Sequence, residues 1–202
     1  MRLFRDTILN IFTDIWPMIL ICCVIIISMR IIYLVKNKKK FVFYKEVLML
    51  GFILYVMALF RVVTFQDVSW STSNIVPFKE MFRYDFGSKM FYRNVVGNML
   101  MFIPYGFFTS YFLKLKKPLH IFLMTFLVSI TIETTQFMIG RVFDIDDIML
   151  NIVGGLLGFT IFYIGDKLKN KFPLLQKAYV YNIIMVVILS VIVLYLSGVI
   201  YV

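Results

Sequence analysis

Histidine and cysteine are almost missing from this chain: His120 stands alone, and Cys22 and Cys23 are its only thiols. The cysteines are adjacent within an apolar run, so they cannot close an ordinary disulfide on each other, and without partners they hold no metal. They read as small buried hydrophobes, and Ile21 in front of Cys22 is not the small residue a lipoprotein signal requires. His120 stands at a lysine-bordered helix start far from the acids, which argues against a catalytic or metal role. The sequence has no His- or Cys-rich ligand cluster, no glycine-rich phosphate loop and no Gly-x-Ser-x-Gly elbow, so nucleotide-dependent and serine-hydrolase classes find no support. Charge is scarce too, at 16 % of residues. No internal repeat appears, which ranks a transporter low.

What fills the chain instead is hydrophobic: 61 % of residues, with a mean hydropathy of +0.90. That is more apolar surface than a soluble domain of 202 residues buries, so the chain must use lipid as a solvent. Apolar runs of about 20 residues predict six spans: Ile15 to Val35, Glu46 to Phe65, Val95 to Leu113, Leu119 to Ile139, Ile148 to Gly165, and Tyr179 to Tyr201. The fifth is the shortest. The first is too long for a signal-peptide core and has no small-x-small cleavage site, so it is expected to stay as a helix. The expected fold is all-α, a polytopic transmembrane helical bundle. Residues 1–45 form an additional N-terminal transmembrane helix and lysine loop, 46–165 a core of four spans, and 166–202 a lysine loop and C-terminal transmembrane helix.

A net charge of +10 raises the question of nucleic acid, but the basic residues lie between hydrophobic runs and not on one soluble face, so no nucleic-acid partner is expected. Three lysine loops hold 12 of the 21 basic residues: Lys36 to Lys45, Lys114 to Lys117, and Lys167 to Lys177. Their acids are Glu46 and Asp166 alone. The positive-inside rule makes these loops cytoplasmic, with roles in topology and headgroup contact, and puts the N-terminus, the Gln66 to Asn94 loop, the Gly140 to Asp147 loop and the C-terminus outside. Arg30 is expected to snorkel to headgroups, and Trp16 and Trp70 to anchor at the interface.

Polar groups inside lipid have no water partners, so they face the bundle interior or a wet cavity. Arg61 and Glu133 fall near the outer ends of the second and fourth spans. Asn94 and Asn98 stand four apart at the outer end of the third, followed by Phe102, Pro104 and Gly106. Ser129, Glu133 and Gln136 form a polar stripe on the fourth span, expected to point inward. In the fifth, Asp144, Asp147, Asn151, Gly154 and Gly158 step by three and four along one face, acidic outside and small inside, with a Gly-x-x-x-Gly that permits close helix approach. Asp144, Asp146 and Asp147 thus have a chance to meet Glu133, Arg61 and Arg141 in one outer vestibule, although caps and structural ion pairs explain each charge singly.

In the order and spacing of these residues the chain resembles the VanZ-like family of bacterial envelope membrane proteins. The resemblance runs from Leu59-Phe60-Arg61, through Asn74-Ile-Val-Pro77-Phe78 and Asn94-x3-Asn98-x3-Phe102-x-Pro104-x-Gly106, to Glu133-x2-Gln136 and Asp144-x2-Asp147-x3-Asn151-x2-Gly154-x3-Gly158. It implies a VanZ-like core, a bacterial envelope protein and tolerance of teicoplanin-type lipoglycopeptides; together with the lysine loops this gives an expected place in the bacterial cytoplasmic membrane with the polar site facing outside. It brings no agreed reaction. The motif also adds Asn74 to the functional cluster of Arg61, Asn94, Asn98, Glu133, Gln136, Arg141, Asp144, Asp147 and Asn151.

Two functional readings stand side by side. One is a binding or envelope-modifying protein whose vestibule holds a membrane lipid, a lipid-linked cell-wall precursor or a lipoglycopeptide antibiotic, with Arg61, Arg93 and Arg141 meeting phosphate or carboxylate. The other is an intramembrane enzyme with Glu133 or Asp147 as general base. No cofactor is implied; Asp144 and Asp147, three apart, are thin candidates for sharing Mg²⁺ with a phosphate.

Overall fold

The computed structural model describes residues 2–65 and 73–197. Among the described residues six helices are long and apolar enough to cross a membrane. They are α1 (Arg2–Lys36), α2 (Phe43–Phe65), α3 (Lys89–Leu113), α4 (Pro118–Met138), α5 (Ile145–Lys171) and α6 (Ala178–Leu196). No strand occurs among the described residues; the one extended contact is an isolated parallel bridge between Asn74 and Asp144.

Local chemistry sets the helix ends. The Ser88 side chain accepts the Phe91 N–H at 3.1 Å and starts α3, six residues before the apolar run at Val95. Tyr92–Val96 then widen into a π-helical turn. Lys114 takes the left-handed conformation that ends α3, and Pro118 stands at the first turn of α4, where its missing N–H costs nothing. Gly140, at φ +85°, closes α4 in a Schellman turn: its N–H donates to the Phe137 carbonyl at 3.1 Å and that of Arg141 to the Gln136 carbonyl at 2.9 Å. The fifth span, expected to be the shortest, is a 27-residue helix. Its hydrogen-bond ladder runs on past the apolar stretch at both ends, through Asp146 and Asp147 at the start and Lys169 and Lys171 at the finish.

The chain divides into two compact units, one of Met1–Arg61 with Leu168–Val202 and one of Val62–Lys167. In the first, α1 and α2 are clamped at both ends. Arg30 forms a two-pronged pair with Glu46, Nε to Oε2 at 2.7 Å and Nη2 to Oε1 at 3.0 Å, and Arg61 meets Asp14 at 2.6 Å. Arg30 is therefore bound to a carboxylate, where the sequence suggested snorkelling to headgroups. The Tyr44 N–H donates to Asn182 Oδ1 at 3.1 Å, which ties α6 to the start of α2. Trp16 is exposed on α1, Cys22 and Cys23 are free and half-exposed, and Trp70 lies outside the described residues.

The second unit packs α3, α4 and α5 around a ridge of small residues. A Cβ on Gly154 would strike the Met99 carbonyl oxygen, one on Gly158 the Ile103 carbonyl oxygen, and one on Gly106 the Gly155 carbonyl oxygen. The α3 and α5 backbones are thus in direct contact. On the neighbouring face, a Cβ on Gly155 would strike Thr125 of α4. Lipid supplies no hydrophobic drive between helices, so such close approach, with its dispersion and Cα–H···O contacts, holds them together. Phe102, Ile121, Thr125 and Ser129 are buried at this core.

Candidate functional site

The site is built where α5 begins. Asp144 stands just before the helix, and its Oδ1 accepts the Asp146 N–H at 2.9 Å, capping the first turn. The same oxygen accepts Asn74 Nδ2 at 2.9 Å, while the Asn74 backbone donates to the Phe143 carbonyl and accepts from the Ile145 N–H at 2.8 and 3.1 Å. Asp146, 1 % exposed, faces the loop before α3. Its carboxylate accepts the N–H groups of Phe78, Glu80 and Met81 at 2.5, 2.7 and 3.1 Å. Phe78 sits at φ +67°, a conformation uncommon for a non-glycine residue, and in it aims its N–H at that carboxylate. The two acids therefore strap residues 74–81 onto the head of α5. Burial raises the Asp144 carboxyl above its ordinary value, the bonds from Asn74 and the Asp146 N–H oppose the rise, and the charges of Asp146 and Glu80 add to it.

Behind the strap lies a pocket lined by Val62, Val63, Asn98, Met101, Phe102, Ile132, Glu133, Gln136, Arg141, Asp147 and Asn151. Glu133, 2 % exposed, accepts the Asp144 N–H on Oε2 at 3.0 Å. The Gln136 amide satisfies both its ends only with its nitrogen toward Glu133 Oε1, at 3.1 Å, and its oxygen toward Arg141 Nη1, at 2.6 Å. Arg141 Nη1 also donates to the Val63 carbonyl at 2.7 Å. Guanidinium, amide and carboxylate thus form one chain, and the Schellman turn at Gly140 is what brings Arg141 back beneath Gln136. Across the pocket Asn98 Nδ2 donates to Asp147 Oδ1. Asn151, 3 % exposed, donates through Nδ2 to Ser129 Oγ at 2.9 Å, while its Oδ1 has no partner.

Of the residues singled out from the sequence, Asn98, Glu133, Gln136, Arg141, Asp147 and Asn151 line this pocket. Asn74 and Asp144 hold the strap beside it. Asn94 is half-exposed in the π-helical turn and does not line the pocket, because the extra residue in that turn shifts its register against Asn98. Arg61 belongs to the other compact unit, paired with Asp14. Arg93 is exposed. Asp144 and Asp147 join no group of three His, Cys, Asp or Glu able to hold a metal among the described residues. Sequence reasoning missed the Val63 carbonyl and the Ser129 partner of Asn151. It also missed that Asp146 is occupied by backbone amides.

The family model described as VanZ/LLP1 matches residues 15–170, more than half of the chain. The chain belongs to this family. The VanZ/LLP1 stretch begins within α1, takes in the four following spans and stops before α6. Protein VanZ of Enterococcus faecium is 31 % identical over 102 residues, which cover 50 % of this chain and 63 % of that protein, less than two thirds of its length. No solved structure matches. The chain is accordingly a multi-pass membrane protein of the VanZ/LLP1 family, with six membrane-length helices.

Proposed function

We propose that this protein works in the bacterial cytoplasmic membrane, with its polar pocket opening toward the outer leaflet. There it binds or modifies the polar end of a lipid-anchored envelope molecule, a membrane lipid or a lipid-linked wall precursor, or a lipid-tailed antibiotic, and so lowers sensitivity to teicoplanin. The observation that carries this reading is the convergence of Glu133, Gln136, Arg141, Asp147, Asn98 and Asn151, from three spans and the turn after α4, on one pocket. Polar side chains so gathered within membrane helices are functional by default. The lysine loops support the orientation, and the family supports the envelope role.

The test is expression in a susceptible Gram-positive host. Sensitivity to teicoplanin should fall more than sensitivity to vancomycin, which has no lipid tail. Asp147→Asn and Glu133→Gln should each abolish protection at unchanged membrane abundance, since each removes one charge, the first keeping an acceptor for Asn98 and the second keeping one for the Asp144 N–H. Full protection by both variants would leave the pocket a structural element only.

A second reading rests on one observation: two carboxylates, Glu133 and Asp147, line the same pocket, each fixed by different donors. Such a pair suits acid–base work on a bound lipid. Purified protein incubated with a lipid-linked wall precursor would then yield an altered product, where binding alone leaves the precursor unchanged.

A further inference from the structure

The pocket holds two carboxylates and one guanidinium. Its only guanidinium, Arg141, donates to the Val63 carbonyl and the Gln136 amide. Asn98 gives Nδ2 to Asp147, Asn151 gives Nδ2 to Ser129, and Gln136 gives its nitrogen to Glu133. Each of these side chains thus gives a nitrogen to a protein acceptor. The lining includes two carboxylates and Asn151, whose Oδ1 is buried without a partner. Two carboxylates share one guanidinium within membrane helices, where an uncompensated charge is expensive, so the pocket must take up either a proton or a cation. An orphaned buried acceptor in the same place costs the bond it lacks.

One chemical group answers both deficits. A primary ammonium carries one positive charge and three donors in a compact head. The pocket has a cavity volume of about 30 Å³, room for two or three water-sized groups. Met101, Phe102 and Ile132 supply an apolar wall against which the methylenes next to such a head can lie.

We propose that this pocket binds a primary ammonium group, with Asp147, Glu133 and Asn151 Oδ1 as its acceptors. The proposal rests on the reading of the pocket as a ligand site and specifies the ligand's class. Arg141 then acts by holding Gln136 and Glu133 in place, and the anion-binding task is not its own. A lipid headgroup and a soluble amine are the two sources of this chemistry.

The experiment uses the full chain in lipid nanodiscs that contain phosphatidylethanolamine, phosphatidylcholine or phosphatidylglycerol, with retained lipid counted by native mass spectrometry. The wild type should retain phosphatidylethanolamine about tenfold over its trimethylated counterpart, the worth of one charge-assisted hydrogen bond. Asp147→Asn, which keeps the acceptor for Asn98, and Asn151→Ala should bring that ratio near one. Free ethanolamine is added to phosphatidylethanolamine-free discs as the second arm. Thermal protection by ethanolamine without lipid preference makes the source a soluble amine, and lipid preference alone makes it a headgroup; either supports the assignment. Equal retention of the ethanolamine and choline lipids with no response to ethanolamine would overturn it, as would a preference unchanged in both variants. An ammonium preference lost in the variants of a protein that gives no teicoplanin protection would sink the proposed function and keep this assignment. Protection abolished by Asp147→Asn, with no ammonium preference in the wild type, would do the reverse.

Discussion

At the scale of single residues, the acids at the head of α5 divide their work in a way that spacing did not reveal. Asp144, Asp146 and Asp147 are near neighbours in sequence, yet one caps, one straps and one lines the pocket. Sequence alone marked all three as candidates because charge near lipid is costly. It had no means to find their partners, which lie at Asn74, at Phe78 to Met81 and at Asn98, far away in the chain. Asp144 gives a test of this division. Its folded carboxyl is raised by burial, so the folded state holds the proton more firmly than the unfolded state does. The stability from this group is full below the ordinary carboxylate value and is lost as the pH climbs through the raised one. Asp144→Asn keeps an oxygen for Asn74 and the Asp146 N–H and never ionises. The variant's thermal midpoint in detergent should therefore gain on the wild type as the pH rises from 4 to 7, and a gap that stays constant or shrinks would contradict the account.

At the scale of elements, the six spans were legible because apolar runs of membrane length have few other uses. Their ends were not. α3 begins at a Ser88 cap within a polar loop, and α5 runs on into its lysine tail, so hydropathy marked the lipid-soluble part of each helix and missed the rest. The glycines were read as one Gly-x-x-x-Gly face; the packing adds Gly155 against α4 and Gly106 against α5. Gly154→Ala or Gly158→Ala would drive a methyl into an α3 carbonyl, backbone that cannot swing aside, and each should cost at least about 2 kcal/mol. Gly165 has nothing within 4 Å of its would-be Cβ, and Gly165→Ala should be neutral or stabilising by up to about 1 kcal/mol. Thermal unfolding of the three variants in detergent checks the contrast; an equal loss in all three would remove the ridge as the cause.

At the scale of the whole molecule, the lysine loops carry the orientation argument, and cysteine labelling from outside the cell tests it in a background without Cys22 and Cys23. A cysteine at Val142 should react and one at Lys116 should not; the opposite pattern would turn the pocket toward the cytoplasm. The strap has a consequence of its own for how the chain is joined. Residues 74–81 are fastened to α5 by Asn74 with Asp144 at one end and by three amides on Asp146 at the other, so the peptide bonds between Tyr84 and Ser88 are not what keeps them there. A gene divided between Tyr84 and Asp85 should therefore yield two fragments that assemble when co-expressed, the first delivering its segment to the second without a covalent link. Recovery of the tagged 1–84 fragment with the 85–202 fragment measures that assembly. Asp146→Ala in the second fragment should lower that recovery without abolishing it, because Tyr44 with Asn182 and the Val63 carbonyl with Arg141 still join the two, and equal recovery with and without that carboxylate would show that the fastening lies elsewhere.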